Sequence, residues 1–199
     1  MTRRGILFVV SGPSGVGKGT IRSALLAKMG DIQVSISVTT RKPRTGEVDG
    51  GHYFFVDEKE FERMVAEDEF LEYARVYTNM YGTPKKFVLE KLQEGQDVLL
   101  EIDIQGALQV KNKMPEGVFI FILPPNIEEL AVRLASRGQD SQESITRRLA
   151  ACKYEIEQVR HYDYAIINDR LEEAVKKLQA IITAERCRVK NLNLGCDIT

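Results

Sequence analysis

The sequence has no tryptophan, only two histidines and only three cysteines in 199 residues. His52 and His161 stand alone, and Cys152, Cys187 and Cys196 fit no metal-ligand spacing. An odd number of thiols does not make a closed disulfide framework, so the cysteines read as reduced groups of a cytosolic protein. An excess of charge of one sign is missing too: 28 Lys+Arg stand against 29 Asp+Glu, a net charge of −1. That balance argues against a broad nucleic-acid footprint but leaves room for a local anion site. No apolar run approaches the ~20 residues that span a bilayer. Ile6 to Val10, behind Arg3 and Arg4, is too short for a signal-peptide core and has no small-residue cleavage site. The expected setting is cytoplasmic, with neither membrane nor nucleic acid as partner. What remains is globular: 43% of residues are hydrophobic and 29% charged. A chain of this length buries roughly 70% of its unfolded surface without staples.

The apolar residues fall into short continuous runs. Ile6-Leu7-Phe8-Val9-Val10, Val98-Leu99-Leu100, Val118 to Leu123 and Tyr164-Ala165-Ile166-Ile167 each suit a strand buried on both faces. Helical patterns lie between them, over about 18–29 with Ile21, Leu25 and Leu26 on one face, and over about 171–189 with Ala174, Leu178 and Ile181. Asn126 and Glu129 form a capping-box pair behind Pro125. Strands alternating with helices predict a doubly wound α/β fold, a parallel sheet with helices on both faces. From Val34 to Tyr81 this rhythm breaks into short strands, a polar loop and one short helix opened by Asp57 and Glu60. Within it, Phe70 to Tyr77 alternates as a half-exposed strand would. The expected organisation is a core of residues 1–33, 94–132 and 151–190, an inserted α+β subdomain over 34–93, a small lid over 133–150 around Arg137-Gly138-Gln139-Asp140-Ser141, and a flexible tail over 191–199.

Gly12-Pro13-Ser14-Gly15-Val16-Gly17-Lys18-Gly19-Thr20 carries the strongest chemistry. It matches G-x-x-x-x-G-K and sits between a predicted strand and a predicted helix, the context such a loop requires. Its glycines let successive amides turn toward one point, the helix start adds partial positive charge, and Lys18 adds a full one, which together suit the phosphates of a nucleoside triphosphate. The hydroxyl that usually follows the lysine is displaced by one residue, from Gly19 to Thr20. Thr20 therefore stands either as a Mg²⁺ ligand or as a phosphate contact. Gly-Lys-Gly-Thr points to small-substrate kinases rather than to switch GTPases.

A second anion site is suggested by Thr39-Thr40-Arg41-Lys42-Pro43-Arg44, followed by Tyr53. Two arginines and a tyrosine hydroxyl can hold a monophosphate through planar, two-pronged bonding. Alone, such a segment is an ordinary solvated basic loop; beside a phosphate-binding loop it gains meaning. Glu72 lies on the alternating strand, with Tyr81-Gly82-Thr83 after it. A carboxylate in a pocket accepts both N1–H and N2–H₂ of guanine, an edge that adenine does not offer. From position alone, Glu72 reads more readily as a solvent-facing strand residue. Val98 to Asp103 is an apolar strand ending in acid at the carboxyl edge where α/β folds bind ligands, so Glu101 and Asp103 are candidates there. Arg133 and Arg137 are four apart on a helical pattern and read, by themselves, as a charged surface.

Taken in order, Ser11 to Lys18, Thr39 to Arg44, Gly51-His52-Tyr53-Phe54-Phe55, Phe70-Leu71-Glu72, Tyr81-Gly82-Thr83, Ile102-Asp103-Ile104-Gln105-Gly106 and Ile167-Asn168-Asp169 resemble the guanylate kinase family, in its bacterial branch, from Gly5 to about Arg188. The resemblance implies a P-loop nucleoside monophosphate kinase that transfers the γ-phosphoryl group of ATP to GMP, giving ADP and GDP, in guanine nucleotide metabolism. It implies that the loop from Gly12 to Thr20 binds ATP, and that Asn168 lies near the adenine. Arg41, Arg44, Tyr53 and Tyr81 would hold the GMP phosphate. Ser37, Glu72, Thr83 and Asp103 would read guanine, with Gly82 beside them. Arg133, Arg137 and Arg148 would close on the ATP phosphates. With Lys18 and Arg41 these arginines form the expected catalytic set. Mg²⁺ would arrive with ATP, held through phosphates and water, with Thr20 and Glu101 as candidate protein ligands. Glu101 stands where many relatives have Asp, and Thr83 where some have Ser. dGMP is a further candidate acceptor. An adenylate-type kinase and a non-catalytic scaffold module are the alternatives. Glu72 with the Thr39-Thr40-Arg41 loop argues against the first, and the intact Lys18 against the second.

Overall fold

A computed structural model of the chain describes residues 4–76, 78–135, 152 and 154–192. Two sheets organise them. The larger is parallel, with β1 (Leu7–Ser11) at its centre, β7 (Asp97–Glu101) and β8 (Val118–Leu123) beside it, and β2 (Ile32–Val34) and β9 (Tyr164–Ile167) at the edges, in the order β2-β7-β1-β8-β9. The four long strands fall on the apolar runs. β2 was not legible, because Ile32-Gln33-Val34 is too short to form a run; its pairing with β7 makes it a strand.

The reason β1 is apolar throughout is visible in its neighbours. Phe8 and Val10 join one core cluster with Ile21 and Leu25 of α1 (Lys18–Leu26) and with Ala174, Val175, Leu178 and Ile182 of the final helix, α6 (Leu171–Arg186). Leu7 and Val9 point the other way, into a cluster with Val88 and Leu92 of α3 (Lys85–Gln93) and Ala107 and Val110 of α4 (Ile104–Lys113). Helices therefore cover both faces, as a strand buried on two sides demands. α5 (Ile127–Ala135) follows β8, and its start is capped as the sequence predicts, with the Glu129 amide donating to Asn126 Oδ1 at 2.7 Å.

The second sheet, in the order β4-β3-β6-β5, lies within the segment that broke the rhythm. It comprises β3 (Val38–Thr39), β4 (Phe54–Phe55), β5 (Phe70–Val76) and β6 (Asn79–Pro84). Helix α2 (Glu58–Ala66) packs Phe61 onto Phe70, ring centroids 4.6 Å apart, and Val38 completes that small core. Asp57 caps α2, accepting from the Glu60 amide at 2.8 Å. Strand β5 is irregular. Phe70 pairs with Pro84 and Glu72 with Thr83, so two residues of β5 face one of β6 around Leu71. Phe70 thus enters the small core and Leu71 the main one, and Glu72 is buried as well.

At the far edge of the large sheet, Asp97 is fully buried. It accepts from the Ile6 amide at 2.9 Å and from Arg186 Nε at 2.7 Å, while Arg186 Nη1 reaches Asp31 at 2.8 Å. This cluster ties the last turn of α6 to the starts of β1 and β7.

Candidate active site

The loop from Gly12 to Gly17 joins the carboxyl end of β1 to α1. Gly12 has φ 147°, and a Cβ there would fall 3.2 Å from the carbonyl carbon of Ile122. Gly17 caps α1 in the left-handed region, φ 96°, where a Cβ would stand 2.6 Å from Asn168 Nδ2. Both positions demand glycine, for backbone conformation and for space. Val16, wholly buried, anchors the loop in the core. Lys18 Nζ donates to the carbonyls of Gly12 at 2.6 Å and Pro13 at 3.0 Å, so the ammonium is held over the loop. The loop amides, the α1 start and this ammonium make an electropositive cradle at the carboxyl edge of the sheet. Ser14, Gly15 and Lys18 are partly accessible, and Thr20 is exposed one residue further along.

Two further side chains brace this loop. Asn168, buried just after β9, donates from Nδ2 to the Val16 carbonyl at 2.8 Å. Its own carbonyl accepts from Arg133 Nη1 at 3.1 Å, and Arg133 Nε pairs with Glu129 at 3.1 Å. Arg133 is thereby fixed beside the loop rather than spread on a helix surface. Glu101, at the end of β7, lies alongside Gly19 and pairs with Arg22 at 3.1 Å. Among the described residues no cluster of three or more Asp, Glu, His or Cys could hold a metal. Arg137 and Arg148 lie outside the described residues.

The basic loop is built around a residue that the sequence reading did not single out. Glu47 Oε1 pairs with Arg41 Nη2 at 2.8 Å, and Glu47 Oε2 accepts the Arg44 amide at 2.7 Å. The guanidinium of Arg41 also donates to the Lys42 carbonyl at 2.8 Å and lies 5.3 Å from the ring centre of Tyr53. Glu47, then the Tyr81 hydroxyl, raise the pKa of Arg41, and Arg41 in turn holds the Glu47 carboxyl below its usual range. Tyr53 and Tyr81 meet edge to face at 5.9 Å. Burial pushes the Tyr53 hydroxyl up, with the charge of Glu101 adding and those of Arg41 and Arg22 opposing. That hydroxyl thus feels the basic loop and the flank of α1 together. Arg44 itself is exposed at the rim. The one signal for Glu47 was spacing: Arg41, Arg44 and Glu47 recur every third residue.

Glu72 and Thr83 face each other across β5 and β6, and the Thr83 hydroxyl donates to Glu72 Oε1 at 2.5 Å. Both are buried, Glu72 at 3% exposure, which rejects the solvent-facing reading of this glutamate. Burial pushes its carboxyl up to about 7; the charge of Asp103 adds to that, while the Thr83 hydroxyl and Lys113 oppose it. Asp103 caps α4, accepting from the Gly106 amide at 2.7 Å. Burial raises its carboxyl too, with the Gly106 amide and Lys18 opposing, so the cradle and the buried carboxylates share one electrostatic neighbourhood. Ser37 is half-buried at the entry to β3, and Gly82 lies under the ring of Phe70, 3.1 Å or less from any Cβ it might carry. A cavity of about 390 Å³ at the opposite edge of the large sheet, lined by Arg4, Met114 and Lys190, shares no residue with this cleft.

An electropositive loop, a cationic and aromatic loop, and a buried carboxylate flanked by a hydroxyl are thus linked electrostatically. The chain matches the family model described as guanylate kinase over residues 4–185. It is 64% identical to a guanylate kinase of Syntrophomonas wolfei, over 98% of this chain and 100% of that one. It is 59% identical to a guanylate kinase of Caldanaerobacter subterraneus, over 94% and 91%. Its fold superposes on the crystal structure of guanylate kinase from Anaplasma phagocytophilum with a TM-score of 0.81 at 36% identity, covering 96% of this chain and 90% of that one.

Proposed function

The chain belongs to the guanylate kinase family, and on that premise we propose how its own residues carry out the transfer. It is an ATP:GMP phosphotransferase, producing ADP and GDP. The observation that carries the assignment of residues is the buried Glu72 carboxylate, opposed by Thr83 and electrostatically joined to Asp103 and the cradle. Glu72 accepts N1–H and N2–H₂ of guanine, Thr83 and Ser37 complete the edge, and Asp103 lies beside them. Leaving such a buried acceptor without its donors penalises adenine on the order of 10⁴-fold.

Arg41, Arg44, Tyr53 and Tyr81 bind the phosphate of GMP, with Gly82 letting β6 run close. Arg41 is already charged and oriented by Glu47, so little freedom is lost when the phosphate arrives. Residues Gly12 to Thr20 wrap the ATP phosphates, and Lys18 turns from its two carbonyl acceptors to phosphate oxygens. Asn168 keeps the loop in shape and borders the adenine side, and Arg133, held on its carbonyl, serves the ATP phosphates. Arg137 and Arg148, outside the described residues, are assigned by the family resemblance to close on the transferring group. Phosphoryl transfer needs alignment and positive charge around the equatorial oxygens, which these residues supply. A general base is unnecessary, because a phosphate monoester is largely anionic at neutral pH.

Mg²⁺ arriving with ATP would be held chiefly by phosphates and water, with the Glu101 carboxylate and the Thr20 hydroxyl as the protein oxygens near the loop that would serve it. When bound it neutralises charge on the triphosphate. Among the described residues no helix is long and apolar enough to cross a membrane; we place the enzyme in the cytoplasm, with ATP and GMP as its partners. The segment 34–93 forms the GMP-binding unit, and α3, packed on the core, is its joint.

Release of ADP with GMP, dGMP, AMP and IMP, each with and without Mg²⁺, tests this. GMP is expected to lead in the presence of the metal. AMP turnover equal to that of GMP would reject the assignment of Glu72.

A further inference from the structure

We infer that Gly106 is a positioning residue for guanine recognition: its missing side chain is the space in which the Glu72 carboxylate sits. This rests on the reading of Glu72 given above. A Cβ built on Gly106 would stand 2.9 Å from Cδ of Glu72 and closer still to Oε2, far inside van der Waals contact. Backbone conformation does not explain the glycine. Gly106 lies in the first turn of α4 and is absent from the positive-φ glycines, so any L-residue fits its backbone. Helix propensity argues against it, since alanine there is better by about 1 kcal/mol. What remains is the space.

The helix cannot back away to make room. Gln109, one turn further along the same face, donates from Nε2 to the Tyr73 carbonyl at 2.7 Å and accepts from the Tyr73 amide at 3.3 Å. Lys113, a further turn on, donates to the Leu71 carbonyl at 2.7 Å. These side chains bond the backbone of β5 on either side of Glu72 and fix its distance from α4. On the other flank Thr83 holds Oε1. A methyl group at position 106 therefore displaces the carboxylate, the one movable group in the contact, and leaves the helix and strand in place.

A double-mutant cycle tests this. The wild type, Gly106→Ala, Glu72→Ala and the double variant are compared by kcat/KM for GMP and for IMP, which lacks the 2-amino group, and by thermal midpoint. Gly106→Ala is expected to lower the GMP-to-IMP preference on the order of ten-fold or more, through KM for GMP rather than through KM for ATP. In the Glu72→Ala background the same methyl is expected to change neither ratio and to leave the midpoint equal or higher. Equal losses in both backgrounds, no loss in either, or failure of the double variant to fold would each overturn the inference. If the wild type itself shows no preference for GMP over IMP, the assignment of Glu72 fails first, and that result is separate from the cycle.

Discussion

Individual side chains in the cleft are held by partners that prepare them for substrate. Lys18→Ala removes the only full charge that the phosphate loop itself carries. We expect kcat to fall on the order of 10²–10³-fold with the thermal midpoint nearly unchanged, read by coupled ADP release and by calorimetry. Retained turnover would remove Lys18 from the mechanism. Glu72 supplies a pH dependence. On the proposed reading guanine needs the ionised Glu72 carboxylate as acceptor, and burial places its proton loss near pH 7. KM for GMP is therefore expected to fall as pH rises through about 7, facing Asp103 and Lys113 on α4 and Thr83 on β6. Glu72→Gln should raise KM and lose that part of the profile, leaving the titration of the substrate phosphate. The same group acts on stability with the opposite slope. The folded protein holds this proton more tightly than the unfolded chain, so its contribution is present below the ordinary value of 4.5 and is lost by about pH 7. The loss is on the order of 3 kcal/mol, and urea titrations of wild type and Glu72→Gln across that window would show it.

Elements show where the sequence could be read and where it could not. The phosphate loop and the four long core strands were legible because each is written in a local pattern: glycines before a lysine, or a short apolar run. Glu72 stood out as a candidate, but its burial was not legible, because alternation along 70–77 assumes a regular strand. The bulge at Leu71 breaks the parity, burying three consecutive residues. Glu47, and the bond by which Asn168 braces the phosphate loop, escaped for a related reason. Their roles are hydrogen bonds to backbone atoms and side chains that only the fold brings near, and the Asn168 bond spans 152 positions. Asp97 is another such residue, joining β1, β7 and α6. Asp97→Ala would leave the Ile6 amide and Arg186 without this acceptor in a buried site. We expect a loss of about 3 kcal/mol in chemical denaturation, with Asp97→Asn milder because an amide oxygen can still serve Ile6. A loss under about 1 kcal/mol would show that Arg186 finds adequate compensation from Asp31.

At the scale of the molecule, the described residues form two sheets of different kinds. The parallel sheet carries the proposed triphosphate loop, and the mixed sheet carries the basic loop and Glu72. Water must be kept from the transferring group, and a closing motion of the small sheet toward the core is the direct means. A compact chain of this length has a radius of gyration of roughly 16 Å. Small-angle scattering is expected to show a decrease when GMP and a non-hydrolysable ATP analogue are added together, and a smaller one with either alone. An unchanged radius with both would mean that exclusion is achieved without movement of the small sheet. This division was only half legible: the change in rhythm marked the insert, but nothing local showed that α3, inside it, packs on the core.

The two carbonyls that hold Lys18 also matter for the end of the cycle. On the proposed role of Lys18, an ammonium with no acceptor of its own would cling to the diphosphate product. Here Gly12 and Pro13 offer it a seat within the loop's own backbone. If Lys18 holds ATP phosphates as proposed, letting go of ADP is an exchange between two sets of oxygens rather than the stranding of a naked cation.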